Sequence, residues 1–497
     1  MSDLTLAPRI STVLWQGDVV VLGATWAGLA AAKACAARGW RTCLLEQAPV
    51  LGLESGLTEP ITWPVDCTVG PGLEGAIACE TKIGYVNGTR GALIYRGYDI
   101  FDLCAETSYE EVSYLLLHGN LPKKEALADF SSQLQEFRFI PKTLRLIMGF
   151  PVQDMNPMAA LRMGTNLMRQ YQNERDQVGA ASAGTKVIAS DEDTIPMEKK
   201  KGGDKRAAFE FSDRNANRPQ RPAKAKREQS EARGLESCYH LIAGVGTLTA
   251  AIERVRMGHL PIEPDPELSH AGNLLYMMPG RRPYPVEARI MDICLTLHAD
   301  HGMNASTFAA MVVASTLSDI YFSIGSGIGA LNGPLHGGAN EAVIHMLNQI
   351  GSARRVGSWY KEARANKTKI MGFGHRVYKA YDPRARVLGP LAEFLVERSG
   401  RKDMQKLLAT AKELEKRVIA DLGERKGIFP NVDFYSGIVY SCLGIPPAMF
   451  TPIFAVSRVA GWTARVLEYL KNNRIFRPRG IYVGDLDRSF KPLAERG

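Results

Sequence analysis

The chain has 497 residues, of which 45% are hydrophobic and 23% charged, with a net charge of +9. It is ordinary globular material, long enough for two or three domains with sizeable cores. Its eight cysteines are scattered without a CxxC pair, and no stretch reaches the ~18 consecutive apolar residues of a membrane helix, so a disulfide framework, a zinc site and a membrane span are all excluded from the expectation.

Residues 1–70 predict a β-α-β start: the apolar run Val19-Val20-Val21-Leu22, a Gly-containing turn, an Ala-rich helix through Ala36 and a second strand from Arg41 to Leu45. The first eighteen residues hold two acids and a single Arg and no secretory apolar core, so the expected compartment is the cytoplasm. From Pro71 long amphipathic helices take over. Ser108 caps a helix over Tyr109–His118 that Gly119 stops, another follows Pro122, and helices dominate again after Pro285.

Between residues 173 and 233 the sequence loses aromatic and branched apolar residues, which predicts a disordered insertion. Eleven Lys and Arg lie between Lys199 and Arg227 against three acids, so almost the whole charge excess sits in this one segment. A basic tether is not a basic binding face, and no nucleic-acid partner is expected. The resulting organisation is a stub at 1–70, a large domain in three parts (71–172, 234–335 and 441–497) and a small domain at 336–440.

The chemistry-bearing residues cluster in four places. His301 lies in His298-Ala299-Asp300-His301-Gly302-Met303-Asn304-Ala305-Ser306, and His336 in Gly333-Pro334-Leu335-His336-Gly337-Gly338. His375 opens the run Gly374-His375-Arg376-Val377-Tyr378-Lys379-Ala380-Tyr381-Asp382-Pro383-Arg384, and Asp433 follows Asn431-Val432. Small residues around each histidine allow a backbone to approach a ligand closely.

Taken together and in this order, these four positions resemble the citrate synthase family, and the resemblance extends from Lys82-Ile83-Gly84-Tyr85 to Arg477-Pro478-Arg479-Gly480. It implies a mainly α fold with large and small helical domains, the small one closing over the large. It also implies an acyltransferase that condenses acetyl-CoA with oxaloacetate and needs no cofactor beyond its acyl-CoA cosubstrate. The family roles carried over are Asp433 as the base on the thioester methyl group, His336 as the donor to its carbonyl oxygen, and His375 as the donor to the keto group. Arg384, Arg458 and Arg477 match the carboxylate-binding positions, with His301 as an added donor. Arg477 is the position that reaches across from the other subunit, so a homodimer is implied. Met371, Gly372 and Phe373 correspond to the loop that holds the CoA adenine, with Lys367 and Lys369 as phosphate contacts.

Other readings stay open. A 2-methylcitrate synthase taking propionyl-CoA differs by one methylene of pocket space, which motifs do not resolve. Gly23, Gly28 and Glu46 resemble the start of a FAD-dependent oxidoreductase, but Thr25 stands at the middle glycine and the unit stops by about residue 60, as in a truncated remnant. A binding protein acting through the basic segment is the third reading.

Overall fold

The structure is a computed structural model; it describes three strands within residues 1–66, then residues 67–170 and 224–481 and a few positions beyond. The chain divides after Cys79. In the first unit β1 (Thr5–Ala7), β2 (Val19–Leu22) and β3 (Thr42–Leu45) form a parallel sheet in the order β1-β3-β2, Val19 facing Thr42 and Leu22 facing Leu45. Both strands expected from the apolar runs are present and paired in parallel. The fingerprint positions Gly23, Gly28 and Glu46 lie outside the described residues.

The second unit opens with an antiparallel meander, β4 (Gly84–Asn87), β5 (Ala92–Tyr95) and β6 (Tyr98–Asp99). Among the described residues, the elements that follow it are helices, apart from one isolated bridge between Phe373 and Pro430. The helices are α1 (Ile100–Glu106), α2 (Tyr109–His118), α3 (Lys124–Phe137), α4 (Pro141–Ile147), α5 (Pro157–Leu167), α6 (Lys224–Arg256), α7 (His270–Met277) and α8 (Pro285–His298). They continue as α9 (Ala305–Ser315), α10 (Ile320–Leu331), α11 (Ala339–Ile350), α12 (Ala353–Ala365), α13 (Pro383–Ser399), α14 (Lys402–Val418), α15 (Val432–Cys442) and α16 (Phe450–Leu470).

Local chemistry sets many of these ends. Ser108 accepts from the Glu111 amide while the Glu111 carboxylate returns to the Ser108 amide, and Gly119 ends α2 at φ +92°. Pro leads α4, α5, α8 and α13, where its missing N–H costs nothing.

The expected insertion is corrected at its far end: residues 224–233 are the first turns of α6. Low apolar content says that a segment has no core of its own. It does not prevent Lys, Ala, Arg, Glu and Gln, all good helix formers, from extending a helix anchored by the buried stretch that follows, Ser237 to Ile252. Residues 171–223 lie outside the described part.

Two groups of helices matter for the site. α16 is buried from Phe450 to Val466 and packs against α2, α6, α8, α9 and α10. α13, α14 and α15 pack on one another, α14 and α15 also pack on α11, and α12 lies against α14. A π-turn over Ile419–Gly423 ends α14 and leads into the segment that carries Asp433.

Candidate active site

His375 and Asp433 are brought together by a short backbone pairing. The segment after α12 runs through Lys367, Lys369 and Met371 to Gly374 and lies antiparallel to residues 429–431. Gly374 N–H donates to Phe429 O at 2.9 Å, Asn431 N–H to Gly372 O at 2.9 Å, and the Asn431 side-chain amide to Gly374 O at 2.9 Å. Gly372 is required here: its φ is +80°, and a Cβ would lie 2.8 Å from both Phe434 and Val343. Asn431 also caps α15 by accepting from the Asp433 amide at 3.0 Å, so one side chain fixes both the histidine loop and the helix that starts with the carboxylate.

The Asp433 carboxylate has no hydrogen-bond partner among the described residues. Burial raises its pKa from 3.8 to about 6, with Arg384 and Arg458 opposing the rise and Asp382 adding to it. A carboxyl group poised there is ionised at neutral pH yet basic enough to accept a proton.

The three histidines are neutral for the same reason. Burial lowers His336 and His375 to about 4 and His301 well below its usual value, with the neighbouring guanidiniums adding to the fall. His375 Nδ1 accepts from the amides of Val377 at 3.0 Å and Tyr378 at 3.2 Å, which leaves the proton on Nε2. His336 Nε2 lies 3.3 Å from the Ser306 amide and 2.8 Å from the Ser306 hydroxyl. An amide can only donate, so Nε2 accepts and Nδ1 carries the proton. Both rings therefore present one N–H donor. His301 and His375 meet edge to face with ring centroids 5.1 Å apart.

The cationic side of the site comes from α13 and α16. Arg384 is 2% exposed and grips Asp382 through Nε at 3.0 Å and Nη2 at 2.8 Å. Arg465 grips Asp300 through Nε at 2.6 Å and Nη2 at 2.7 Å. Arg458, 1% exposed, has no carboxylate partner among the described residues: Nε donates to His298 O, the guanidinium stacks 4.6 Å from the Phe454 ring centroid, and Nη2 has no partner. Arg384 and Arg465 each have a carboxylate in contact, whereas Arg458 has none; Asp433 bears on it only through space. Burial lowers the Arg458 pKa to about 10. A buried unpaired charge costs several kcal/mol, of order 3–5, unless an anion arrives to pair with it.

These groups act on one another. Arg384 bears on His301, His375 and Asp433, and Arg458 on His301, His336 and Asp433. Beside Met371 a cavity of about 390 Å³ opens between the Asn332–Gly338 turn, the first turn of α11 and Asn156–Met158.

Of the residues singled out in the sequence, His301, His336, His375, Asp433, Arg384 and Arg458 share this site, and Met371, Gly372 and Phe373 border it. Arg477 lies exposed on the extended chain after α16, where neighbouring Phe476 stacks on Tyr469 and donates its amide to Ser315. Lys367, at φ +52°, and Lys369 are exposed. Sequence reasoning gave no role to Ser306, Asp382, Asn431 or the Asp300–Arg465 pair. Asp382 was legible as an N-cap before Pro383, whereas Asp300 and Arg465 are joined only by the tertiary fold.

A buried cation awaiting an anion, neutral imidazole donors and a carboxyl group tuned toward neutrality are the equipment of an acid–base enzyme for a carboxylate substrate, carried on a mainly α fold. The model of the family "Citrate synthase, C-terminal domain" matches residues 72–197 and 205–479. The match thus covers all of the expected insertion except residues 198–204. The chain is 40% identical to a citrate synthase of Synechocystis sp. over 426 residues, 86% of this chain and 93% of that protein. It is also 40% identical to one of Haloferax volcanii over 428 residues, 86% and 98% of the two chains. Among solved structures, citrate synthase from Pyrobaculum aerophilum superposes with a TM-score of 0.72 at 37% identity, covering 88% of this chain and all of that one. The ternary complex of Thermoplasma acidophilum citrate synthase with carboxymethyl coenzyme A and oxaloacetate gives 0.70 at 31% identity, covering 87% and 100%. The chain belongs to the citrate synthase family.

Proposed function

We propose that this chain is a cytoplasmic homodimer that condenses acetyl-CoA with oxaloacetate and water to give citrate and CoA. The observation that carries the reading is Arg458, a fully buried guanidinium with no carboxylate in contact among the described residues, beside two neutral imidazoles that each present one N–H. A carboxylate of a dianionic keto acid supplies the missing contact.

In this reading Asp433 takes a proton from the thioester methyl group while His336 Nδ1–H holds the carbonyl oxygen on which charge develops. The resulting carbon nucleophile attacks the keto carbon of oxaloacetate. His375 Nε2–H polarises that carbonyl and delivers the proton to the new alkoxide, and water then cleaves the citryl thioester. Arg384 has one edge occupied by Asp382, so it meets a carboxylate end-on, and Arg458 offers its free Nη2. Met371, Gly372 and Phe373 line the approach for the CoA adenine, with Lys367 and Lys369 near its phosphates, and the 390 Å³ cavity offers room for the acyl arm. Residues 336–440 act as the small domain that closes over the bound substrates. Arg477, exposed and away from the cluster in its own chain, completes the site of the other subunit.

The test is CoA release from acetyl-CoA and, separately, propionyl-CoA, with and without oxaloacetate. Oxaloacetate-dependent release with acetyl-CoA at the higher kcat/KM is expected. A preference for propionyl-CoA would make the chain a 2-methylcitrate synthase, and no oxaloacetate-dependent release with either would refute the reading. A purified protein without flavin absorbance disposes of the oxidoreductase alternative.

A further inference from the structure

We propose that Tyr378 is a positioning residue for the keto-acid site: its hydroxyl donates to His301 Nε2 and so decides which ring nitrogen of that histidine faces the substrate, while its amide joins that of Val377 on His375 Nδ1. This rests on the reading above, in which His301 and His375 both touch oxaloacetate.

The geometry is closely constrained. Tyr378 is 1% exposed, its hydroxyl lies 3.2 Å from His301 Nε2, and its amide lies 3.2 Å from His375 Nδ1. Its ring packs against both imidazoles, with centroids 5.4 Å from His301 and 4.9 Å from His375, and the Arg384 guanidinium lies 5.9 Å from its own centroid. The next amide, that of Lys379, donates to Gly88 O at 2.9 Å and anchors the segment on the β4–β5 turn.

A buried phenol needs an acceptor for its proton. The charged group over its ring, Arg384, can only donate, and His301 Nε2 is the one acceptor within reach of the hydroxyl among the described residues. The phenol therefore donates, Nε2 accepts, and the His301 proton sits on Nδ1. The charged and titratable groups bearing on His301 are Arg384, His375, Arg458 and Arg465, all of which resist a second proton on the ring. The Tyr378 hydrogen bond adds to that resistance, because it is made only to the neutral imidazole.

The experiment compares Tyr378→Phe with wild type in the full-length protein by steady-state CoA release, varying each substrate in turn and repeating the series from pH 5 to pH 8. Removing the hydroxyl leaves the ring packing in place. The expected result is a rise of about tenfold in KM for oxaloacetate, the equivalent of one hydrogen bond of about 1.4 kcal/mol, with kcat and KM for acyl-CoA unchanged and the acid limb, which Asp433 sets, unmoved. An unchanged KM for oxaloacetate across the pH series overturns the proposal, even if thermal stability falls; so does a loss confined to kcat. His301→Gln is measured in parallel. If that variant leaves KM for oxaloacetate unaltered, the role given to His301 fails. If it raises KM and Tyr378→Phe does not, only the role of Tyr378 fails. The double variant is expected to match His301→Gln alone, because Tyr378 acts through that ring; multiplied losses would overturn the assignment.

Discussion

Replacing Asp433 by asparagine is expected to abolish turnover and at the same time to make the protein more stable. The carboxylate stands in the first turn of α15 with no hydrogen-bond partner among the described residues, and burial raises its pKa from 3.8 to about 6. A carboxyl group whose pKa is higher in the folded state than in the unfolded one favours folding only while it is protonated. Its cost therefore develops as the pH rises from about 4 to about 6 and is constant above that. The difference corresponds to roughly 3 kcal/mol held against folding at pH 7.5. Contact with solvent in the cleft reduces the recoverable part to about 1–2 kcal/mol. Asparagine keeps the shape and removes the charge. Thermal unfolding without ligands should show a midpoint roughly 1–3 °C above wild type at pH 7.5, with the gain gone near pH 4, where both side chains are neutral. CoA release should fall on the order of a thousandfold. Equal or lower stability at pH 7.5, or the same gain at both pH values, would refute the reasoning that the site holds a desolvated base.

Arg458→Met should behave alike for the opposite charge: it removes a buried unpaired guanidinium, so stability should hold or rise, whereas the thermal stabilisation that oxaloacetate gives wild type should disappear. Gly372→Ala meets Phe434 and Val343 at 2.8 Å and a φ of +80°; denaturant unfolding should show a loss of about 1–3 kcal/mol, and KM for acyl-CoA should rise. Mixing inactive Asp433→Asn and Arg477→Gln subunits should restore about a quarter of wild-type activity if Arg477 serves the other subunit's site, since random pairing places half the chains in mixed dimers with one intact site each; a mixture that stays inactive after exchange would place Arg477 elsewhere. Activity in wild type should lose its acid limb with a midpoint near pH 6, set by Asp433, because His336 and His375 stay neutral down to about 4; a midpoint near 4 would transfer control to the histidines.

Much of the helical architecture was legible because caps are local. Ser108 with Glu111, Gly119, and the prolines at 141, 157, 285 and 383 fix helix ends within a few residues of sequence. The insertion boundary was misplaced for the complementary reason. Composition reports what a segment can bury by itself, and residues 224–233 are helical by continuity with a buried stretch rather than by their own apolar content.

The site divides in the same way. The sequence by itself determined which residue types were available: three histidines among small residues, a carboxylate after an Asn cap, and arginines in the right order along the chain. Only the tertiary structure decided their states. Asn431 joins two segments 57 residues apart through Gly374 O. The hydroxyl of Tyr378 reaches a histidine 77 residues away. The pairing of Arg465 with Asp300 spans 165 residues and leaves Arg458 without a carboxylate in contact. Protonation and charge balance depend on burial and on neighbours distant in sequence, and those are properties of the packed chain.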